Sequence, residues 1–286
     1  MPCPTATLWP RNCYQKEVYT LGQAWLIASG KGGVGKSTIA AGLGQALSRL
    51  GKRVCIVDTD IGLRDQDLIL GLQNSIVYDL IDVCEKKCRT DQAILPADGF
   101  EGLYLLPAAQ FARSRDLDPK AFRKLMQMLR LDYDFVLIDC PAGIEKGLRT
   151  LLKSECGHAI VVVTPDDVCI RNAERVIDLM RSHTNLTQHL IINRLVPELI
   201  RMGEMYPASV VSQTLDVPLL GELPEDPAVL RALLNHVPLA DCGCDAYDAL
   251  QRIARRMTGE DIALPQIGSK KPGLFRRFID FLQRED

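Results

Sequence analysis

Residues 30–37 read Gly-Lys-Gly-Gly-Val-Gly-Lys-Ser, directly after the short apolar run 24–28. The pattern is G-x-x-x-x-G-K-[ST], and its meaning depends on what flanks it: a strand before and a helix after make it a phosphate-binding loop. Both flanks are present, because residues 37–50 repeat apolar positions at helical spacing. Glycines let successive backbone N–H groups face an anion at close range, and the helix N-terminus behind them adds a favourable dipole. Such a loop needs a strand end beneath it and a helix leading away. This one segment therefore commits the chain to strand–loop–helix units.

The rest of the sequence repeats that unit. Short runs at 54–57, 103–106, 135–138, 159–163, 190–192 and 217–220 are apolar throughout, as strands buried on both faces of a parallel sheet are. Amphipathic helical patterns alternate with them, at 119–131, 168–181 and 247–257 among others. Alternation of this kind, with right-handed crossovers, predicts one α/β domain with a doubly wound, mostly parallel sheet flanked by helices. The domain is expected over 23–260, preceded by an extension over 1–22. A linker over 261–273, with two prolines, two glycines and Lys270-Lys271, leads to a final amphipathic segment over 274–286.

Composition narrows the setting. Lys+Arg total 34 against 36 Asp+Glu, a formal net charge of -2, so there is no general basic excess for wrapping nucleic acid. The first twenty residues lack the basic start and apolar run of a secretory signal, and no stretch approaches the ~18 apolar residues of a spanning helix. A cytosolic chain is expected, with its ten cysteines mostly reduced, as small core residues or idle surface thiols.

The loop sets the chemistry. Gly30, Lys31, Gly32, Gly33, Val34, Gly35, Lys36, Ser37 and Thr38 form the expected nucleotide-binding set. Lys36 is expected to reach the β- and γ-phosphates, and the Ser37 hydroxyl to ligate Mg²⁺. The second apolar run ends in Asp58-Thr59-Asp60, at the carboxyl end of a strand, where ligands bind in open α/β sheets. Asp58 is assigned to the metal shell and Asp60 to positioning or activating the attacking water. Residues 135–138 lead into Asp139, a Walker B pattern whose carboxylate holds Mg²⁺ through water. Gly143 comes next, as a hinge for a loop that senses the γ-phosphate. Asn193 and Pro224 end later strands and read equally well as turn residues.

The second lysine of the loop, Lys31, carries a resemblance. Lys-Gly-Gly-Val-Gly-Lys-Ser resembles the deviant Walker A signature of the P-loop ATPases that include the MinD and ParA groups. The resemblance implies that Lys31 crosses a dimer interface to the partner's nucleotide, so that Lys31, Lys36 and Asp60 act together in hydrolysis. It also implies that Asn193 and the Pro224-Glu225-Asp226 segment surround the adenine. Asp60-Ile61-Gly62-Leu63-Arg64, Ile76-Val77-Tyr78-Asp79-Leu80, Leu105-Leu106-Pro107-Ala108-Ala109-Gln110 and Asp139-Cys140-Pro141-Ala142-Gly143-Ile144-Glu145 are similar to the MinD group of that family, whose members select the cell-division site. The likeness implies an ATP-dependent homodimer, a division inhibitor of the MinC type and an activator of the MinE type as partners, and peripheral attachment to the cytoplasmic membrane. The sequence departs from the group in its long N-terminal extension, in Asp65-Gln66 where an Asn is more usual after Arg64, in the acidic end of its tail and in its cysteine content.

The tail has its own argument. Helical spacing aligns Leu274, Phe275, Phe278, Phe281 and Leu282 on one stripe, with Ile279 at its edge and Arg276 and Arg277 towards the other side. An aromatic face flanked by cations suits the membrane interface; packing on the protein's own core is the competing outcome. One such helix anchors weakly, and a dimer presents two. Two pairs, Cys84/Cys88 on an expected helix and Cys242/Cys244 around Gly243, fall short of the four ligands of a zinc site. His183, His189 and His236 read as structural or exposed. Other functions on the same fold stay open: a DNA-partition ATPase of the ParA type, a flagellar-number regulator, or an electron-transfer iron protein using Cys140.

Overall fold

The computed structural model describes residues 21–268, apart from 114–115, 144–145, 155 and 184. Most of the expected extension and all of the amphipathic tail, including Leu274, Phe275, Phe278, Ile279, Phe281 and Leu282, lie outside the described residues. Strands and helices alternate from the start: β1 (Gln23–Ala28), α1 (Lys36–Arg49), β2 (Val54–Asp58), then three short helices, α2 (Gln66–Ile69), α3 (Leu80–Cys84) and α4 (Thr90–Ala93). Next come β3 (Leu95–Pro96), β4 (Leu103–Leu106), α5 (Pro119–Asp132), β5 (Phe135–Asp139), α6 (Lys146–Leu151), β6 (His158–Val163) and α7 (Asp167–Arg181). The domain closes with β7 (Thr187–Leu195), α8 (Pro197–Met202), α9 (Ala208–Leu215), β8 (Leu219–Pro224), α10 (Pro227–Leu234) and α11 (Asp245–Met257).

The strands form one eight-stranded sheet in the order β3-β4-β2-β5-β1-β6-β7-β8, parallel except where β3 pairs antiparallel with β4. β2 and β5 are buried at every position, the burial expected of central parallel strands. The first strand and the loop behind it sit at the centre, with β2, β4 and β5 on one side and β6 to β8 on the other. That is the switch point at which open α/β sheets bind ligands. The edge strand β3 went unread in the sequence: two residues ending in proline give no period to detect, and Pro96 is tolerated only at an edge.

Helix placement matches side-chain spacing. α5 starts at Pro119, behind Asp118, whose carboxylate accepts from the Lys120 and Ala121 amides, a cap worth about 1 kcal/mol. Phe122, Leu125, Met126 and Leu129 then recur on one buried face, each contributing about 1.5–3 kcal/mol. α1 and α11 pack side by side over the sheet, where Gly44 lies against Ile56 and Gly42 against Leu250. A Cβ at Gly42 would stand 2.5 Å from a Leu250 methyl, so a larger residue there would make the Leu250 side chain shift.

One expectation about the cysteines is corrected. Cys84 ends α3, so Cys88 lies in the turn beyond it and the pair does not share a helix. The helix stops because Lys86 takes a left-handed φ of 62°. Cys242 and Cys244 are joined as a disulfide, while Cys55, Cys84, Cys88, Cys140, Cys156 and Cys169 are free: Gly243, with φ 62°, turns the chain so that the paired Cα atoms lie 5.5 Å apart, within the span a bridge requires. The described part of the expected linker, residues 261–268, is tied to the domain. The Arg256 guanidinium donates to Ile262 O and Ala263 O, and the Ile267 amide donates to Glu222 Oε2 at 2.8 Å. Among the described residues no helix is long and apolar enough to cross a membrane.

Histidines form a stack at the far end of the sheet from the phosphate loop. Trp25 lies on His158 with ring centroids 4.2 Å apart, and His189 is 5.2 Å from Trp25. Burial pushes His189 down to about 4, helped by the neighbouring His158. The unfolded chain takes up this proton near pH 6.5, so the folded state binds fewer protons between those values. The stabilising contribution is complete above pH 6.5 and is lost as pH falls through 4. Urea denaturation of wild type should therefore weaken between pH 6.5 and 4, and His189→Phe, which keeps a ring in the stack, should flatten that slope. An unchanged slope would show that other groups set it.

Candidate nucleotide site

The phosphate loop runs from Ser29, whose hydroxyl donates to Lys31 O at 2.8 Å, to the first turn of α1. Gly33 and Gly35 adopt φ of 76° and 96°, conformations that cost a side-chain-bearing residue. At Gly35 a Cβ would also stand 2.6 Å from Asn193 Nδ2. The helix it introduces is uncapped: α1 has no side-chain cap and no acid in its first turn, whereas α5, α7 and α10 are capped by Asp118, Asp166 and Asp226. α2, α4, α8, α9 and α11 also lack a side-chain cap, so it is the glycine loop ahead of α1 that turns its free amides toward an anion.

Lys36 opens α1 with only 7% of its surface exposed, among carboxylates. Asp58 and Asp139 stand opposite each other in the register of β2 and β5, both buried. Asp58 Oδ1 accepts from the Asp60 amide at 2.9 Å and Oδ2 from the Gln66 amide at 3.3 Å, so this carboxylate shapes the loop beyond it. Burial raises Asp58 to about 8, with the charge of Asp139 adding to the effect. Asp139 rises to about 6 through burial, opposed by the Gln66 hydrogen bond, the Lys36 ammonium and the Ser37 hydroxyl. Asp60 is half-buried and also raised by burial; Lys36 opposes the shift.

Among the described residues, one carboxylate oxygen of this cluster has no partner. Asp139 Oδ1 is buried and has no hydrogen-bond partner among the described residues, while Oδ2 accepts from Gln66 Nε2 at 2.7 Å. A lone buried carboxylate oxygen near a serine hydroxyl fits a hard, oxygen-preferring divalent cation. Ser37 and Asp139 are the residues that would hold Mg²⁺, which neutralises charge on the phosphate oxygens when bound. Gly143, φ 87°, turns the next loop back so that its amide donates to Ser29 O at 2.9 Å.

Asn193 and Pro224 come together beside the loop. With Gly35, Thr38, Arg194 and Tyr247 they line a cavity of about 360 Å³. The Asn193 amide donates to Val34 O at 2.8 Å, which fixes the phosphate loop against β7. Lys31 does not join this arrangement. Its side chain is 48% exposed at the front of the loop, 4.0 Å from Asp166.

Sequence reading missed two residues. Gln66 lies at the centre of the cluster, and its only signal was the unusual Asp65-Gln66 pair. Asp166 both caps α7 and faces Lys31, which nothing in its local sequence announced.

A family model described as ParA, NUBPL iron-transfer P-loop NTPase, matches residues 20–258. The septum site-determining protein MinD of Bacillus subtilis is 40% identical over 264 residues, covering 91% of this chain and 98% of that one. The chain belongs to the MinD group of the ParA family. As a MinD-group protein it is a P-loop ATPase of cell-division site selection, using ATP and Mg²⁺. Among solved structures, the MinC:MinD complex of Aquifex aeolicus superposes with a TM-score of 0.80 at 36% identity, covering 86% of this chain and 99% of that chain. MinD of Pyrococcus horikoshii, complexed with Mg-ADP, gives 0.73 at 29% identity, covering 83% and 96%. In this MinD-group chain Cys140 is only 1% exposed, and burial holds its thiol well above the usual range. A buried thiol of that kind is a poor ligand for an iron cluster shared between subunits.

Proposed function

We propose that the chain is an ATP-switched dimer of the cytoplasmic membrane surface. Two copies join when each binds ATP, Lys31 of each reaching the other's nucleotide. Their paired C-terminal helices hold the dimer on lipid, and hydrolysis returns monomers to the cytosol. The membrane-bound dimer recruits an inhibitor of the MinC type and is stimulated by an activator of the MinE type.

The observation that carries this reading is the contrast between the two loop lysines. Lys36 is buried beside its own carboxylates; Lys31, five residues earlier, projects half-exposed from the same loop. Two further features support a partner at this end. Leu63 and Phe111 are 71% and 96% exposed, on loops that meet where the Gly62 amide donates to Ala109 O. Apolar side chains left in water beside an active site favour a covering surface. The Aquifex MinC:MinD complex supports the choice of inhibitor.

These are the roles the reading assigns. Gly30 to Thr38 cradle the phosphates, Lys36 and Lys31 balance their charge, and Ser37 and Asp139 hold Mg²⁺. Asp58 orders the loop from which Asp60 positions the attacking water. Asn193 and Pro224 border the base.

Liposome co-sedimentation tests the switch, using the full chain and a version ending at Gly268 on vesicles containing anionic lipid. Sedimentation should require both ATP and the tail, and ADP should release the protein. Binding that ignores nucleotide or tail would refute the switch, and ATP-dependent DNA binding in its place would favour a partition role.

A further inference from the structure

Gln66 is an amide enclosed by the charged groups of the site. It opens α2 and has no exposed surface. Its Nε2 donates to Ser37 O at 2.9 Å and to Asp139 Oδ2 at 2.7 Å, while its backbone amide donates to Asp58 Oδ2 at 3.3 Å. One residue thus ties together the first turn of α1 and the ends of β2 and β5, the three elements that carry the expected metal groups.

The acceptors make the second observation. Gln66 Oε1 and Asp139 Oδ1 are both buried without a hydrogen-bond partner among the described residues. Neighbouring residues with unbonded acceptors are unfavourable in the ligand-free protein, and such atoms ask for an explanation. Mg²⁺ keeps several of its waters when bound by protein, and each water brings protons to donate.

We propose that Gln66 is the positioning residue of the magnesium shell. By occupying Asp139 Oδ2, its amide nitrogen fixes the rotation of that carboxylate and leaves Oδ1 for the hydrated ion. Its own Oε1 accepts from a metal-bound water. The bond to Ser37 O holds the serine at a set distance from Asp139. This assignment rests on Ser37 and Asp139 being the groups that hold the metal. A residue that only filled space would serve the site equally well with or without the cation.

The test compares ADP affinity by titration calorimetry in EDTA and in saturating MgCl₂, using the full chain. Gln66→Met keeps length and volume and removes both amide functions. Its ADP affinity in EDTA should stay within about twofold of wild type, and the tightening that Mg²⁺ confers should shrink by about tenfold, the usual scale for losing a residue that orients a metal ligand. Thermal unfolding without nucleotide reports whether the variant folds. If it does not, Gln66→Asn, too short to span both partners, should show the same selective loss. Equal losses with and without Mg²⁺ would overturn the proposal in favour of a loop-shaping role. Ser37→Ala separates the remaining outcomes. If it loses the Mg²⁺ effect while Gln66→Met keeps it, the role of Gln66 fails and the metal reading stands. If both variants keep it, both readings fail.

Discussion

Lys36→Ala is expected to lose nucleotide binding, with ATP and ADP affinities falling by about 10²-fold or more, the scale of a lost charge-assisted contact to phosphate. Two losses add in this variant. The ammonium is the cation that reaches the β- and γ-phosphates from the base of the loop, and hydrogen bonds between ionised groups are the stronger class. It is also the buried positive charge among Asp58, Asp60 and Asp139, and it opposes the upward shift of the latter two. Removing one member of a buried charge cluster costs about 3–5 kcal/mol of folding stability, because the opposite charges are left uncompensated. Acidic groups then meet an incoming polyphosphate with less positive charge between them. Equilibrium binding of a fluorescent ATP analogue measures the loss, and circular dichroism checks the fold. Retained affinity within about tenfold would show that the loop amides and helix dipole supply most of the binding.

How much the sequence disclosed depended on how local each signal was. The loop is contiguous, so its glycines, Lys36 and Ser37 were read together with the strand and helix that flank them. Asp58 and Asp139 were legible because each ends an apolar run, and the parallel register then places them opposite each other. Their interplay with Gln66 was not legible. Gln66 reaches Asp139 across 73 positions of sequence, and an amide in a short helix has no period to betray it. Asn193 is a similar case with a partial signal: its strand end was visible, but its bond to Val34 O spans 159 positions. The disulfide of Cys242 and Cys244 was missed for another reason. Two residues so near in sequence can pair only where the backbone turns sharply, and that depends on the left-handed Gly243.

The second large effect separates binding from turnover. Asp60→Ala should bind ATP with near-normal affinity and accumulate as the ATP-bound dimer, while its turnover falls about 10²–10⁴-fold, the range that positioned general-base groups contribute. The structure explains why the two properties come apart. Asp60 shapes its loop through its backbone amide, which donates to Asp58 Oδ1, and that bond survives loss of the side chain. The phosphate loop, Lys36 and Asp139 keep their positions, and loss of the Asp60 charge leaves less negative charge beside Lys36 and Asp139. What disappears is the half-buried carboxylate beside Lys36, at the end of the strand that faces the phosphates. An attacking water needs such an acceptor to orient it in line with the leaving oxygen. Phosphate release under saturating ATP gives kcat, and light scattering with ATP gives the assembly state. Asp60→Asn, which keeps an oxygen acceptor and loses the charge, should retain more activity than Asp60→Ala if orientation dominates, and no more if proton transfer does. Hydrolysis at the wild-type rate in both variants would remove Asp60 from the reaction altogether.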